Sequence, residues 1–174
     1  MITLNHIPLL LVHLAVYGGF WAVTSFEVSL AIAILGALLI WVSMVDFMIY
    51  EIPDTASALL VFSGLALHWG EGVLPYVNGA VLWAGVFWGM AIAARKALGQ
   101  DGLGFGDVKL MAGLGAWLGP ILPIYVVLCA SVAAILTILV TQGGKSDMIS
   151  RKAVAFGPFL CLSAWAVWLS GAGI

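Results

Sequence analysis

"GLGFGDVKLM", residues 102–111, is the stretch on which the reading of the whole chain turns. It sets Gly102, Gly104 and Gly106 ahead of Asp107, with Lys109 close behind, between long apolar runs. A lipid-facing helix would lose stability by carrying a carboxylate there. The stretch therefore reads as a turn at a membrane surface that leads into a short helix, with Asp107 at its start. A phosphate-cradling loop fails on spacing, because neither G-x-G-x-x-G nor G-x-x-x-x-G-K-[ST] is present.

The surroundings make the case for a membrane. Of 174 residues, 64% are hydrophobic and only 8% are charged, and the mean hydropathy is +1.18. A soluble domain carries about 25% charged residues, so this chain is read as an all-α, polytopic integral membrane bundle. One domain over residues 1–174 is expected, and the lipid bilayer is its first partner. A net charge of −2 gives no ground for nucleic acid as a partner. The N-terminus, "MITLNHIPLLLVHL", lacks the basic start and small-residue cleavage site of a signal peptide and is read as a retained first helix. Cys129 and Cys161 form no C-x-x-C pair, so no metal ligand set is expected, and both are read as small buried hydrophobes. No cofactor is expected either.

Crossing a bilayer takes about 20 apolar residues. The apolar runs predict crossings near 7–25, 28–46, 55–70, 73–94, 105–118, 121–141 and 153–171. The first is the weakest, because Asn5, His6 and His13 interrupt it, so the count is six to seven transmembrane segments. The runs 55–70 and 105–118 are short for a bilayer and need thinning or cover from a neighbour.

Charge placement tests this layout. The basic residues are Arg95, Lys96, Lys109, Lys145, Arg151 and Lys152, and basic residues collect in cytoplasmic loops. Putting 95–109 and 145–152 on one side requires an even number of crossings between them. Two helices with a turn at "LGPILP", 118–123, satisfy this. Glu27 and Glu71 then fall outside. The N-terminus lies inside and the C-terminus outside. Two acidic stretches meet on the inner face: "VDFMIYEIPD", 45–54, and "GQDGLGFGD", 99–107.

Each carboxylate has a bland reading beside a functional one. Asp46 ends span two and is either an interfacial residue or a site residue facing the bundle. Asp54 is read as a helix N-cap. Glu51 is read as solvated and Asp101 as a loop residue. Asp107 is either a simple cap favoured by the helix dipole or a site residue. Gly104 and Gly106 are read as tolerating unusual backbone angles and close approach. Lys109 either lowers the pKa of Asp107 or snorkels to the interface, the latter preferred. His68 beside Trp69 has interfacial composition, and none of the histidines is read as catalytic.

Two carboxylates held close cannot both ionise easily and share one proton. The ionised member can take a proton from water as it attacks a peptide carbonyl, while the protonated member donates to the carbonyl oxygen. That is the logic of an aspartic protease, and it needs neither metal nor cofactor.

The motifs "DFMIYEIPD" (46–54), "GFGDVKL" (104–110) and "FGPFL" (156–160) resemble the type IV prepilin peptidases, or leader peptidases. These are polytopic aspartic proteases with a Gly-x-Gly-Asp motif that presenilins share. The resemblance covers about residues 30–165. It implies Asp46 and Asp107 as catalytic aspartates. Asp54, Gly104, Gly106, Lys109, Gly157 and Pro158 match supporting motif positions. The implied substrates are prepilin or pseudopilin precursors, whose leader is cut at the cytoplasmic face of a bacterial or archaeal plasma membrane. The long form of the family carries an N-terminal cytoplasmic region, often with two cysteine pairs, linked to N-methylation. Nothing here matches it, so the resemblance implies the peptidase activity and does not extend to methyl transfer. The short architecture resembles the peptidases of tight-adherence pilus systems.

Two rival functions belong to other classes. A proton-coupled transporter or channel component would spread carboxylates through the membrane depth, whereas the acids here lie near predicted helix ends. A non-catalytic assembly subunit would use the aspartates only as caps. The sequence assigns no oligomeric state.

Overall fold

The computed structural model describes residues 7–24, 30–70, 72–98, 104–142 and 155–172. Among them there are seven α-helices and no strand. They are α1 (Ile7–Thr24), α2 (Leu30–Ile49), α3 (Asp54–Leu67), α4 (Leu74–Leu98), α5 (Phe105–Leu118), α6 (Pro123–Gln142) and α7 (Gly157–Val167). One wide π turn, Trp168–Ala172, continues α7. This is the all-helical membrane bundle that composition predicts.

Three helices are long and apolar enough to cross a bilayer, namely Leu30–Ile49, Leu74–Ala97 and Pro123–Val140. The short ones matter more to the architecture. At 1.5 Å per residue, α3 and α5 reach only about 21 Å against a hydrocarbon core of about 30 Å. The expected short run at 105–118 coincides with α5, and α5 is the centre of the bundle. Nearly every residue from Asp107 to Leu118 is buried. The helix packs chiefly on α4 and α3, while α7 is held between α2 and α6.

Lipid tails are as apolar as a leucine core, so helices in a membrane associate through close packing and interhelical hydrogen bonds. Both are visible around α5. Gly79 of α4 and Gly115 of α5 meet backbone to backbone, and a Cβ on Gly79 would stand 2.5 Å from the Gly115 carbonyl oxygen. On the α3 side, Gly64 leaves room for Trp117 and Ala116. The Trp117 indole N–H donates to the Leu60 carbonyl at 3.0 Å and lies 3.2 Å from the Ser63 hydroxyl. Trp83 in α4 donates to the Pro120 carbonyl at 2.9 Å, pinning the turn after α5. Trp165 in α7 donates to the Tyr17 carbonyl of α1 at 3.0 Å.

Several single-residue expectations change. Cys161 is buried as expected, but Cys129 is exposed on α6, because α6 turns most of its residues outward. His68, at the C-terminal end of α3, is buried against its neighbours. Its ring stacks on Tyr76 with centroids 3.4 Å apart, and its Nδ1 lies 2.8 Å from the Gly64 carbonyl oxygen. His13 ties α1 to α2, with Nε2 2.9 Å from Ser43 Oγ. Arg95 and Lys96 fall in the last turn of α4, at the bundle end where α5 begins. His6, Glu27, Glu71, Asp101, Lys145, Arg151 and Lys152 lie outside the described residues.

Candidate functional site

Three helix ends build the site. The first is the C-terminal turn of α2. The apolar run suggests a helix ending at Asp46, yet α2 runs on to Ile49. Asp46 therefore sits one turn inside the helix, and it is buried, only 5% exposed. Tyr50 then adopts a left-handed backbone (φ 57°) while its N–H still closes the last turn on the Asp46 carbonyl at 2.9 Å. A non-glycine residue in that region costs free energy, on the order of 1–3 kcal/mol. The reversal lets α3 start at Asp54 only a few residues later.

The second end is the first turn of α5. Gly104 is its N-cap residue, in ordinary extended geometry (φ −66°, ψ 141°), and supplies no side-chain cap. The unusual backbone angles expected of Gly104 and Gly106 are absent, since neither has a positive φ. Gly106 is needed for closeness instead. A Cβ there would lie 3.0 Å from the Ile52 Cβ, so the bare backbone lets α5 rest against the α2–α3 connection. Asp107 is in the third residue of the helix, not the cap, and is buried at 9% exposure. Its backbone N–H donates to the Gly104 carbonyl at 3.1 Å.

The third end is the start of α7. Gly157 opens it, followed by Pro158, which fits the first turn because it has no N–H to leave unpaired. The Gly157 N–H donates to Oδ2 of Asp46 at 2.9 Å. A carboxylate is favoured at a helix N-terminus by the dipole and the free N–H groups.

Between the first two ends lies a cavity of about 300 Å³. Asp46, Ile52, Gly106 and Asp107 line it, with Tyr50, Glu51, Asp54, Gly104, Phe105 and Lys109. The described parts of the two acidic stretches, 45–54 and 104–107, therefore meet at one end of the bundle. Asp54 departs from its expected cap role. Pro53 precedes α3 without any side-chain cap bond, and the Asp54 carboxylate pairs with Lys109 instead. The Lys109 side chain is thus not merely snorkelling. Its ammonium bridges α5 to the start of α3 and also stands 5.5 Å from the centre of the Phe105 ring. Pairing near the surface leaves the Asp54 side chain 80% exposed.

Sequence reasoning missed four residues of this lining, Tyr50, Glu51, Ile52 and Phe105. Glu51 is read as solvated from sequence, and the other three have no pattern to single them out; the left-handed turn at Tyr50 and the seat of Ile52 under Gly106 bring this connection to the cavity. The bond between Gly157 and Asp46 had a partial signal in the Gly-Pro pair that starts a helix. Among the described residues, no cluster of three or more metal-ligating side chains occurs.

Residues 32–139 match the family model described as the type IV leader peptidase family. Curated relatives are about a third identical to this chain over the matched span. A prepilin leader peptidase/N-methyltransferase of Aeromonas salmonicida is 33% identical over 153 residues, covering 84% of this chain and 51% of that protein. One of Neisseria gonorrhoeae is 31% identical over 156 residues, covering 87% and 50%. One of Pseudomonas aeruginosa is 32% identical over 142 residues, covering 77% and 48%. The chain thus spans about half the length of the curated relatives it matches. No solved structure matches it.

Proposed function

The chain belongs to the type IV leader peptidase family, and from that premise we propose that it is a membrane-embedded aspartic endopeptidase with Asp46 and Asp107 as its catalytic pair. Its substrates are prepilin-like precursors, cut at the cytoplasmic face of the plasma membrane. The observation that carries the reading is the shared cavity. Two buried aspartates from distant parts of the chain line one polar space at a helix-bundle end.

The chemistry follows from two carboxyls holding one proton. The ionised carboxylate accepts a proton as water adds to the scissile carbonyl, and the protonated carboxyl donates to the carbonyl oxygen. As the tetrahedral species collapses, the proton taken from water passes to the departing nitrogen and the proton on the former carbonyl oxygen returns to the other carboxyl. The C–N bond breaks, and water is divided between the new carboxyl and the new amine. The low-dielectric surroundings of α2 and α5 strengthen each of these proton transfers relative to water.

The apolar segment of the substrate lies in the bilayer beside the bundle and leaves its cleavage site at the rim. Asp54, Lys109, Gly104, Gly106, Gly157 and Pro158 support the pair without taking part in bond making. Arg95, Lys96 and Lys109 at the same end agree with a cytoplasmic orientation, since basic residues collect on that side. The test is Asp46→Asn and Asp107→Asn, made separately and co-expressed with a prepilin. Each abolishes processing while the protein accumulates to its normal level. Full cleavage by either variant overturns the pair.

A further inference from the structure

We propose that Gly157 is a positioning residue for the cleavage reaction: its backbone N–H holds Oδ2 of Asp46, so that Oδ1 is the oxygen of Asp46 that meets water. This rests on the reading of Asp46 as one member of the catalytic pair. Two independent features of the α7 start carry it.

The first is the account of the N–H donors in the first turn of α7, residues 157–160. Pro158 has no N–H. The N–H groups of Phe159 and Leu160 both donate to the Phe156 carbonyl at 3.1 Å. Phe156, the residue before the helix, offers no side-chain cap. The Gly157 N–H is the donor left over, and it goes to Asp46 of α2 at 2.9 Å in a buried bond. A buried bond from a backbone N–H to a carboxyl oxygen is directional. It fixes the rotation of the carboxyl group as well as its place.

The second feature is steric. A Cβ on Gly157 would stand 2.6 Å from Asp46 Oδ2 and 3.1 Å from its Cγ. Any side chain at 157 must push the carboxylate away. The bare glycine is therefore what allows the bond, and α7 enters the site through its backbone alone.

A purely structural role is the rival reading, with Asp46 serving only to cap α7. The two differ in what Gly157→Ala does to folded enzyme. Purified full-length protein in detergent is assayed with a prepilin substrate. Positioning predicts kcat lower by about 10- to 100-fold, because displacement of a reacting group by up to an ångström costs that much, while KM stays within about twofold. Capping alone predicts a lower melting temperature with unchanged kcat, and that result overturns the proposal.

A second measurement holds if Gly157→Ala does not accumulate. In protein labelled with ¹⁵N-glycine, the Gly157 amide proton resonates downfield, moves on Asp46→Asn and stays in place on Cys129→Ser. An amide that ignores Asp46→Asn overturns the proposal. The two layers separate cleanly. Cleavage by Asp46→Asn defeats the catalytic reading itself. An inactive Asp46→Asn beside a fully active Gly157→Ala defeats only the role of Gly157.

Discussion

Asp46 and Asp54 stand at opposite ends of "DFMIYEIPD", in one short segment, with the same side chain. The bundle treats them in opposite ways. Asp46 is one turn inside α2, buried, and held by a helix N-terminus from far along the chain. Asp54 opens α3 at the rim and is paired with Lys109 in contact with solvent. The left-handed Tyr50 between them is what separates the two environments. Residue type therefore says little about the role of an aspartate here. What decides it is which neighbour's backbone closes over the carboxylate.

The contrast can be broken most decisively by cleavage rates. Asp46→Asn lowers prepilin cleavage by about a thousandfold or more, in keeping with loss of general acid–base catalysis. Asp54→Asn, measured beside it, lowers the rate by less than about tenfold. Equal losses from the two variants would erase the distinction between site and rim.

Stability gives a smaller, independent reading. Asp46→Ala leaves the buried Gly157 N–H without its partner, a cost of about 1–3 kcal/mol. Thermal unfolding in detergent detects it. Asp54→Ala removes an exposed ion pair and costs about 0–1 kcal/mol. A larger loss for Asp54 would mean that the Lys109 pair, not the α7 start, organises this end of the bundle.

The smallest effect is expected from salt. Raising ionic strength from about 0.1 M to about 1 M shortens the screening length from about 10 Å to about 3 Å. The coupling between Asp54 and Lys109, taken from a double-mutant cycle, shrinks accordingly. The effect of Asp46→Asn on unfolding does not change, since its bond is buried. Salt sensitivity of the Asp46 effect would show that its bond to Gly157 is open to solvent.

Much of the fold was legible because membranes restrict structure so strongly. A bilayer satisfies no backbone polar group, so apolar runs must be helices or closed barrels, and α5 coincides with its expected run. The acidic stretches 45–54 and 99–107 could be sent to one membrane face by counting crossings, and their described parts, 45–54 and 104–107, do line one cavity. The cap reading of Asp54 was plausible from local spacing alone. It failed because a cap depends on one residue of phase: Pro53 took the cap position, and Asp54, one residue on, pairs with Lys109. Asp107 does stand in the first turn of α5, where the helix dipole favours a carboxylate.

The sequence by itself determined that this is a helical membrane protein of the leader peptidase family, with its acids near helix ends. Hydropathy and order of motifs suffice for that, because they depend on neighbours along the chain. Only the tertiary structure decided which aspartate is buried, which is paired with lysine, and why glycine stands at 79, 106, 115 and 157. Those outcomes depend on backbones from different helices approaching within van der Waals contact, and no spacing along one helix encodes the partner it will meet.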